Sequence, residues 1–217
     1  MKRILIAGAS GMVGTHLLNL CLESEDVEKV ISLVRKPSTI QSDKLEEIIQ
    51  PDFEQYDPAA AYLQDIDVAF FCIGVYTGAA SKEVFRKITV NYPVALAKAL
   101  KVSAPKLRFC LLSGAGADRS GKSKMIFARD KGAAENQLAD LQLGSFHAFR
   151  PAYIYPVVKR KEPNLMYRLS RRLYPIIRLF GNNASITSLD LAKGMFKVGM
   201  GTAAAEILEN KDILDLL

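Results

Sequence analysis

The chain has little of what builds a metal site or a disulfide framework. Three cysteines and two histidines occur among its 217 residues. Cys21, Cys72 and Cys110 are an odd number and lack the spacing of metal ligands. Cys72 and Cys110 lie in strongly apolar segments, where a cysteine usually behaves as a small buried hydrophobic residue. The sequence therefore predicts no metal site.

Long hydrophobic runs are also missing. No apolar run approaches the roughly 20 residues that a helix needs to cross a bilayer. Met1–Gly8 places basic residues before apolar ones, as a signal peptide does. However, the apolar stretch is short and leads directly into a glycine-rich turn, so we interpret it as a strand. With 49% hydrophobic and 24% charged residues, the composition is typical of a soluble globular protein. We therefore expect a cytoplasmic location.

Short apolar runs alternate with stretches of helical periodicity along most of the chain. This alternation predicts a parallel sheet with crossover helices, that is, one Rossmann-type doubly wound α/β domain over residues 1–217. Residues 152–187 interrupt the alternation and are interpreted as an inserted lid or substrate segment. The predicted strands are 3–7, 29–34, 49–53, 68–73, 107–112 and 145–149. The predicted helices are 12–22, 42–49, 81–100 (bent at Pro93), 125–141 and one that begins near Ser188.

A glycine-rich turn follows the first predicted strand and opens the first helix. Gly8 allows a tight turn, Gly11 lets the backbone approach a pyrophosphate, and Gly14 lets the helix pack against the strand. The helix N-terminus then presents free N–H groups to the phosphates. The strand–turn–helix context makes the motif credible. The predicted phosphate-binding residues are Gly8, Ala9, Ser10, Gly11, Met12, Val13 and Gly14.

The end of the second predicted strand favours one cofactor over the other. NAD-binding sites usually place an acidic residue there to hold the ribose hydroxyls. Here the strand delivers Arg35 and Lys36, and Arg35 stands 21 residues beyond Gly14. A guanidinium pairs well with a 2′-phosphate. The sequence therefore predicts NADPH.

The chain resembles the atypical short-chain dehydrogenase/reductases, and among them the Tat-interacting-protein-like oxidoreductases. The likeness covers nearly the whole length and is more specific for fold and cofactor than for substrate. Besides the glycine turn, it rests on the stretches Leu33–Lys36, Asp52–Glu54, Phe71–Gly74, Leu111–Ser113, Gly116–Asp118, Lys131-Gly132, Phe149–Pro151 and Glu206–Lys211.

This resemblance implies roles for further residues around the cofactor. Ser113 would hydrogen-bond a substrate carbonyl, and Lys131 would hold the nicotinamide ribose. The loop from Pro151 to Ile154 would cover the nicotinamide. Asp52 and Phe53 would lie beside the adenine, and Cys72, Ile73 and Gly74 would form the floor beneath the adenosine ribose.

The sequence departs from the family pattern at Phe127. Family members with reductase activity carry a tyrosine one helical turn before the lysine, where it exchanges the proton while the hydride moves. Phenylalanine has no titratable group. Two hypotheses follow: an NADPH-dependent oxidoreductase acting on a small carbonyl compound, with water, Tyr153 or Tyr155 supplying the proton, or a regulatory NADPH-binding protein with little or no turnover.

A basic amphipathic segment lies within the interruption. Residues 163–180 place apolar side chains on one helical face, and residues 159–178 carry many lysines and arginines. The segment predicts either a lid over the substrate pocket or weak contact with an anionic surface. The net charge of +6 permits an anionic partner. The phosphates of a nucleotide cofactor account for part of this positive charge, so a specific nucleic acid partner is not needed to explain it.

Overall fold

The computed structural model describes residues 1–76, 78–158 and 184–217. Within these residues the central element is a parallel sheet. Its seven strands are β1 (Lys2–Ala7), β2 (Val27–Val34), β3 (Leu45–Ile49), β4 (Val68–Phe71), β5 (Arg108–Leu112), β6 (Ser145–Arg150) and β9 (Ile207–Glu209), in the spatial order β3-β2-β1-β4-β5-β6-β9. This is the expected Rossmann-like α/β fold.

Helices cover both faces of the sheet. They are α1 (Gly14–Glu23), α2 (Lys82–Arg86), α3 (Tyr92–Ser103), α4 (Ile126–Asp140), α5 (Ser188–Met200) and α6 (Asn210–Asp215). Alternate residues of β1 enter different cores because side chains of a strand point to opposite faces. Leu5 packs in the cluster that includes residues of α3, whereas Ile4 and Ile6 pack in the cluster that includes residues of α1 and α5.

The strand order reverses between β1 and β4. β2 and β3 lie on one side of β1, and β4, β5 and β6 follow on the other. In an open parallel sheet, such a reversal leaves a crevice beyond the carboxyl ends of the two central strands. The turn after β1 and the loop after β4 both start at this crevice.

The prediction for residues 42–53 is wrong. A helix over 42–49 and a strand over 49–53 were expected, but Leu45–Ile49 is the strand and the residues before it form a loop. Leu45 and the glutamates that follow it favour a helix in isolation. Pairing along β2, from Val30 with Leu45 to Val34 with Ile49, outweighs that local preference.

The expected long helix over 81–100 is divided. α2 is followed by a π-helical turn, Lys87–Asn91, before α3 begins at Tyr92. Pro93 lies in the first turn of α3. The N–H of Tyr92, just before it, donates to the Lys87 carbonyl oxygen five residues back, so the helical backbone continues through this position. The expected bend at Pro93 stays a prediction.

The ends of the interrupting segment are joined by a second, small sheet. β7 (Tyr153–Tyr155) pairs in parallel with β8 (Ser185–Thr187). The helix expected near Ser188 is confirmed, and the Thr187 hydroxyl accepts a hydrogen bond of 3.0 Å from the Asp190 N–H at its start. The predicted basic helix over 163–180 and the whole of the basic stretch 159–178 lie outside the described residues.

Candidate functional site

The turn after β1 can be built only with glycine at two positions. Gly8 has a φ of +96°, and a β-carbon on it would lie 2.8 Å from the backbone of Cys72 and Ile73. A β-carbon on Gly14 would lie 2.1 Å from the carbonyl oxygen of Gly8. These contacts explain the first and third glycines of the motif. They bring the turn against the end of β4 and the helix against the turn.

The start of α1 is arranged for an anion. The Gly11 N–H donates to the Gly8 carbonyl over 3.0 Å and closes the turn. The single hydrogen of the Thr15 hydroxyl is shared between the carbonyl oxygens of Ala9 and Gly11, which lie 3.0 and 2.8 Å from the hydroxyl oxygen. Val13 precedes the helix, and no side chain in the described part of the chain caps it. The N–H groups of the first turn keep their partial positive charge, so the turn fits a pyrophosphate.

Arg35 and Lys36 extend from the carboxyl end of β2. Both side chains are exposed, and none of the ion pairs between described residues includes either of them. The strand itself ends at Val34, and the two residues that follow it directly are both basic. This leaves two free cations on the side of the turn where a Rossmann domain binds the adenosine half of its dinucleotide.

The next predicted pair, Asp52 and Phe53, follows β3. Phe53 is only 5% exposed, and its ring lies 5.6 Å from that of Tyr92, centre to centre. Its side chain therefore belongs to the core. Asp52 accepts a hydrogen bond of 3.0 Å from the Glu54 N–H and remains partly exposed.

A cleft of about 510 Å³ opens at the carboxyl edge of the sheet. It brings together ten of the predicted residues: Gly11, Met12, Val13, Cys72, Ile73, Gly74, Ser113, Lys131, Pro151 and Ile154. Phe127 and Tyr153 also line it, as do Val75, Tyr76, Leu112, Gly114, Ala115 and Ala152. Tyr155 is not among the lining residues. Gly8, Ala9, Ser10, Gly14, Arg35, Lys36, Asp52 and Phe53 lie outside the cleft, around the turn and towards the adenosine side.

Lys131 lies on α4 with its ammonium group at the cleft wall. The Nζ atom donates to the carbonyl oxygens of Leu112 and Ser113, at 3.2 and 3.0 Å. Burial lowers the pKa of Lys131 to about 8, although the nearby charge of Glu135 opposes the shift. An ammonium has three N–H groups. Two of them are hydrogen-bonded to the carbonyl oxygens at the end of β5, so the third N–H is left for a ligand.

Phe127 lies one helical turn before Lys131. The Lys131 Nζ is 5.9 Å from the centre of the Phe127 ring, and Phe85 packs on the ring with a centroid distance of 6.4 Å. The structure thus places an apolar ring against the cleft at the position where the resembling reductases carry a phenol.

A buried charge network, which the sequence did not predict, lies behind Ser113. The Ser113 hydroxyl donates to the Glu135 Oε1 atom over 2.5 Å, and Glu135 is fully buried. Arg150 binds both oxygens of this carboxylate, and Arg119 binds one of them over 3.1 Å. One signal was present in the sequence, because Glu135 follows Lys131 by one helical turn and so faces the same side.

The Glu135 carboxyl group is ionised despite its burial. Burial by itself raises the pKa of Glu135. The hydrogen bonds from Arg150 and Ser113, and the charge of Arg150, outweigh that effect and bring its pKa below the ordinary value. A buried carboxylate between two guanidinium groups is stable only as a paired set.

In the part of the chain that the structure describes, no group of three or more histidine, cysteine or acidic side chains is placed to hold a metal ion. No helix among the described residues is long and apolar enough to span a membrane.

Comparison with known proteins identifies the family. The model of the family described as NAD(P)H-binding matches residues 8–155. UDP-glucuronic acid 4-epimerase from Bacillus cereus, solved with NAD, superposes with a TM-score of 0.70 over 95% of this chain and 76% of that one, at 16% identity.

Two curated relatives carry the name "Protein FMP52, mitochondrial". The protein from Coccidioides immitis is 30% identical over 166 residues, which is 71% of this chain and 66% of that one. The protein from Meyerozyma guilliermondii is 24% identical over 153 residues, covering 70% and 65%. The chain thus spans about two thirds of the length of these relatives. Their names correct the expectation of a cytoplasmic location, because they point to mitochondria instead.

Proposed function

Because this chain belongs to the NAD(P)H-binding family, whose model matches residues 8–155, we propose that it is an NADPH-dependent oxidoreductase acting on a small carbonyl compound. The single observation that carries the proposal is the cleft. It runs from the phosphate-binding turn at Gly11–Val13 to Lys131 and the loop Pro151–Ile154. One wall thus offers backbone N–H groups to phosphates, and the other offers side chains to a substrate.

NADPH is favoured over NADH by the end of β2. NADPH carries a 2′-phosphate on the adenosine ribose where NADH carries a hydroxyl. Arg35 and Lys36 are exposed at this strand end and are free to pair with that phosphate. The residues directly after Val34 are basic, where an NADH-binding site usually has an acidic residue for the two ribose hydroxyls.

The protein's own groups would position the reactants. When bound, NADPH supplies the hydride. The remaining N–H of Lys131 would hold the nicotinamide ribose, while Cys72, Ile73 and Gly74 would lie beneath the adenosine ribose. Pro151 and the residues up to Ile154 would cover the nicotinamide and exclude water from it.

The proton needs a separate source, because Phe127 cannot donate one. Carbonyl reduction delivers a hydride to carbon and a proton to oxygen, and a positioned acid speeds this transfer. Tyr153 lines the cleft and is the candidate phenol of the two that the sequence offered. Water is the other source.

A second candidate function is a regulatory protein that binds NADPH with little or no turnover. Two observations favour it. The Phe127 ring occupies the position of the usual acid, and the Ser113 hydroxyl is engaged by Glu135 over 2.5 Å. Neither residue offers a proton to a carbonyl oxygen in this arrangement.

The two functions are separated by turnover of the purified chain with NADPH and a panel of aldehydes, ketones and quinones. Measurable turnover that falls in Tyr153→Phe supports the enzyme with a phenolic acid. If the wild type binds NADPH without turnover, Phe127→Tyr is the next variant. A phenol restored one turn before Lys131 should raise the rate by about 10²–10⁴.

The matched control is Phe85→Tyr. Phe85 packs on Phe127 but does not line the cleft, so its hydroxyl should give no rate increase. Activity gained by Phe127→Tyr alone would show that the cleft presents substrate to the hydride. No activity in wild type or variant, with NADPH bound, would reject the enzyme and leave the regulatory function.

A further inference from the structure

The Ser113 hydroxyl has one hydrogen, and its position follows from its neighbour. Glu135 is fully buried and is held by both Arg150 and Arg119. An ionised carboxylate can only accept hydrogen bonds. In the 2.5 Å contact between Ser113 Oγ and Glu135 Oε1, the serine must therefore be the donor. The short distance is that of a hydroxyl bound to a charged oxygen.

The rest of Ser113 is fixed as well. Its N–H donates to the Phe149 carbonyl over 2.8 Å, and its carbonyl oxygen accepts from the Lys131 ammonium over 3.0 Å. The residue is only 6% exposed, yet it lines the cleft. The hydroxyl hydrogen of Ser113 is bound to Glu135. The side chain can therefore offer only the lone pairs of its oxygen to a ligand in the cleft.

We propose that Ser113 is a hydrogen-bond acceptor towards the cleft, and that the ligand group beside it is a hydroxyl or an N–H, not a carbonyl oxygen. This rests on the proposed function only in taking the cleft as the ligand site. It reverses the role that the family resemblance implies for this serine. For a substrate of hydride transfer, the alcohol form then binds more tightly than the carbonyl form.

The donor group beside Ser113 could come from either of two molecules. One is a substrate with a hydroxyl or an amide, and the other is the cofactor, through the carboxamide of its nicotinamide ring. Both present hydrogens on oxygen or nitrogen. They are distinguished by measuring a small probe with and without NADP⁺ bound. A probe preference that disappears when NADP⁺ is present assigns the site to the cofactor, and one that persists assigns it to the substrate.

Neutron diffraction from crystals of the deuterated protein tests the proposal directly. We expect the deuterium of Ser113 between its oxygen and Glu135, and no deuterium on the Glu135 carboxyl group. A deuterium on Ser113 directed into the cleft, or one on Glu135, would overturn the proposal. This result is independent of turnover, so it is separate from a failure of the proposed function.

Binding of matched probes gives a second test. Benzamide and acetophenone have similar shape, but only benzamide has N–H groups. Followed by amide chemical shifts of the labelled protein, benzamide should bind about three- to tenfold more tightly, the range expected for one neutral hydrogen bond. Ser113→Ala should remove this difference, whereas Ser32→Ala, a buried serine on β2, should keep it. A preference for acetophenone, or a benzamide preference unchanged in Ser113→Ala, would contradict the inference.

Discussion

Arg150 and Glu135 form a two-point ion pair between β6 and α4. The Nε atom of Arg150 lies 3.0 Å from Glu135 Oε1, and its Nη2 atom lies 2.5 Å from Oε2. The glutamate is fully buried, and the arginine side chain is 12% exposed. This pair fixes the wall of the cleft that carries Ser113 and Lys131. It also connects the helix of the candidate site to the strand that leads into the loop from Pro151.

Removing the buried charge should destabilise the protein strongly. Glu135→Gln leaves two guanidinium groups without their carboxylate and should lower the free energy of unfolding by about 3–5 kcal/mol. Glu206→Gln is the matched control, because Glu206 pairs with Arg119 through a side chain that is 49% exposed. Its cost should stay below about 1 kcal/mol. Urea unfolding of the two variants measures both values, and equal costs would refute the assignment of stability to Glu135.

The same pair should make the protein acid-sensitive. The pKa of Glu135 is lowered in the folded chain, so its ionised form stabilises the fold at any pH above the ordinary pKa of a glutamate. That contribution is lost as the pH falls from there through the folded pKa. Unfolding free energies measured between neutral and acidic pH should therefore fall more steeply in wild type than in Glu135→Gln. Parallel curves would show that other carboxylates account for the acid sensitivity.

Lys131 should make cofactor affinity depend on pH. Burial lowers its pKa to about 8, so the ammonium begins to lose its proton at mildly alkaline pH. The dissociation constant of NADPH should therefore rise above about pH 8 in wild type. Lys131→Arg keeps its charge throughout this range and should show a flatter profile. An equal rise in both proteins would mean that Lys131 does not contact the cofactor.

A side chain at Gly11 should leave the fold intact but prevent dinucleotide binding. A β-carbon there would lie 3.1 Å from the Gly8 carbonyl oxygen, a tight contact but much longer than the 2.1 Å that a β-carbon on Gly14 would make with the same atom. Gly11→Val should therefore keep its circular dichroism spectrum while losing dinucleotide binding, because the side chain fills the space of the pyrophosphate. Unchanged affinity would place the phosphates elsewhere.

The parts of this molecule that local patterns encode could be predicted from the sequence. The turn at Gly8–Gly14 is a contiguous motif with its own geometry, and the helix start at Ser188 is marked by Thr187 and Asp190. Leu45–Ile49 was assigned incorrectly because its strand depends on pairing with β2, which outweighs local propensity. The network of Ser113, Glu135 and Arg150 could not be predicted for a similar reason. Its members come from β5, α4 and β6, and only the fold brings them together.

The preference for NADPH over NADH can be tested by a single cofactor titration. Arg35 and Lys36 should make the wild type bind NADPH more tightly than NADH, and Arg35→Ala should weaken NADPH binding about tenfold to a hundredfold. Lys101→Ala, which removes an exposed cation from the last turn of α3, controls for net charge and should change neither affinity. Nicotinamide fluorescence gives the dissociation constants for both cofactors. We expect a preference for NADPH that is lost in Arg35→Ala, and equal affinities of the wild type for NADPH and NADH would contradict the assignment of NADPH as the cofactor.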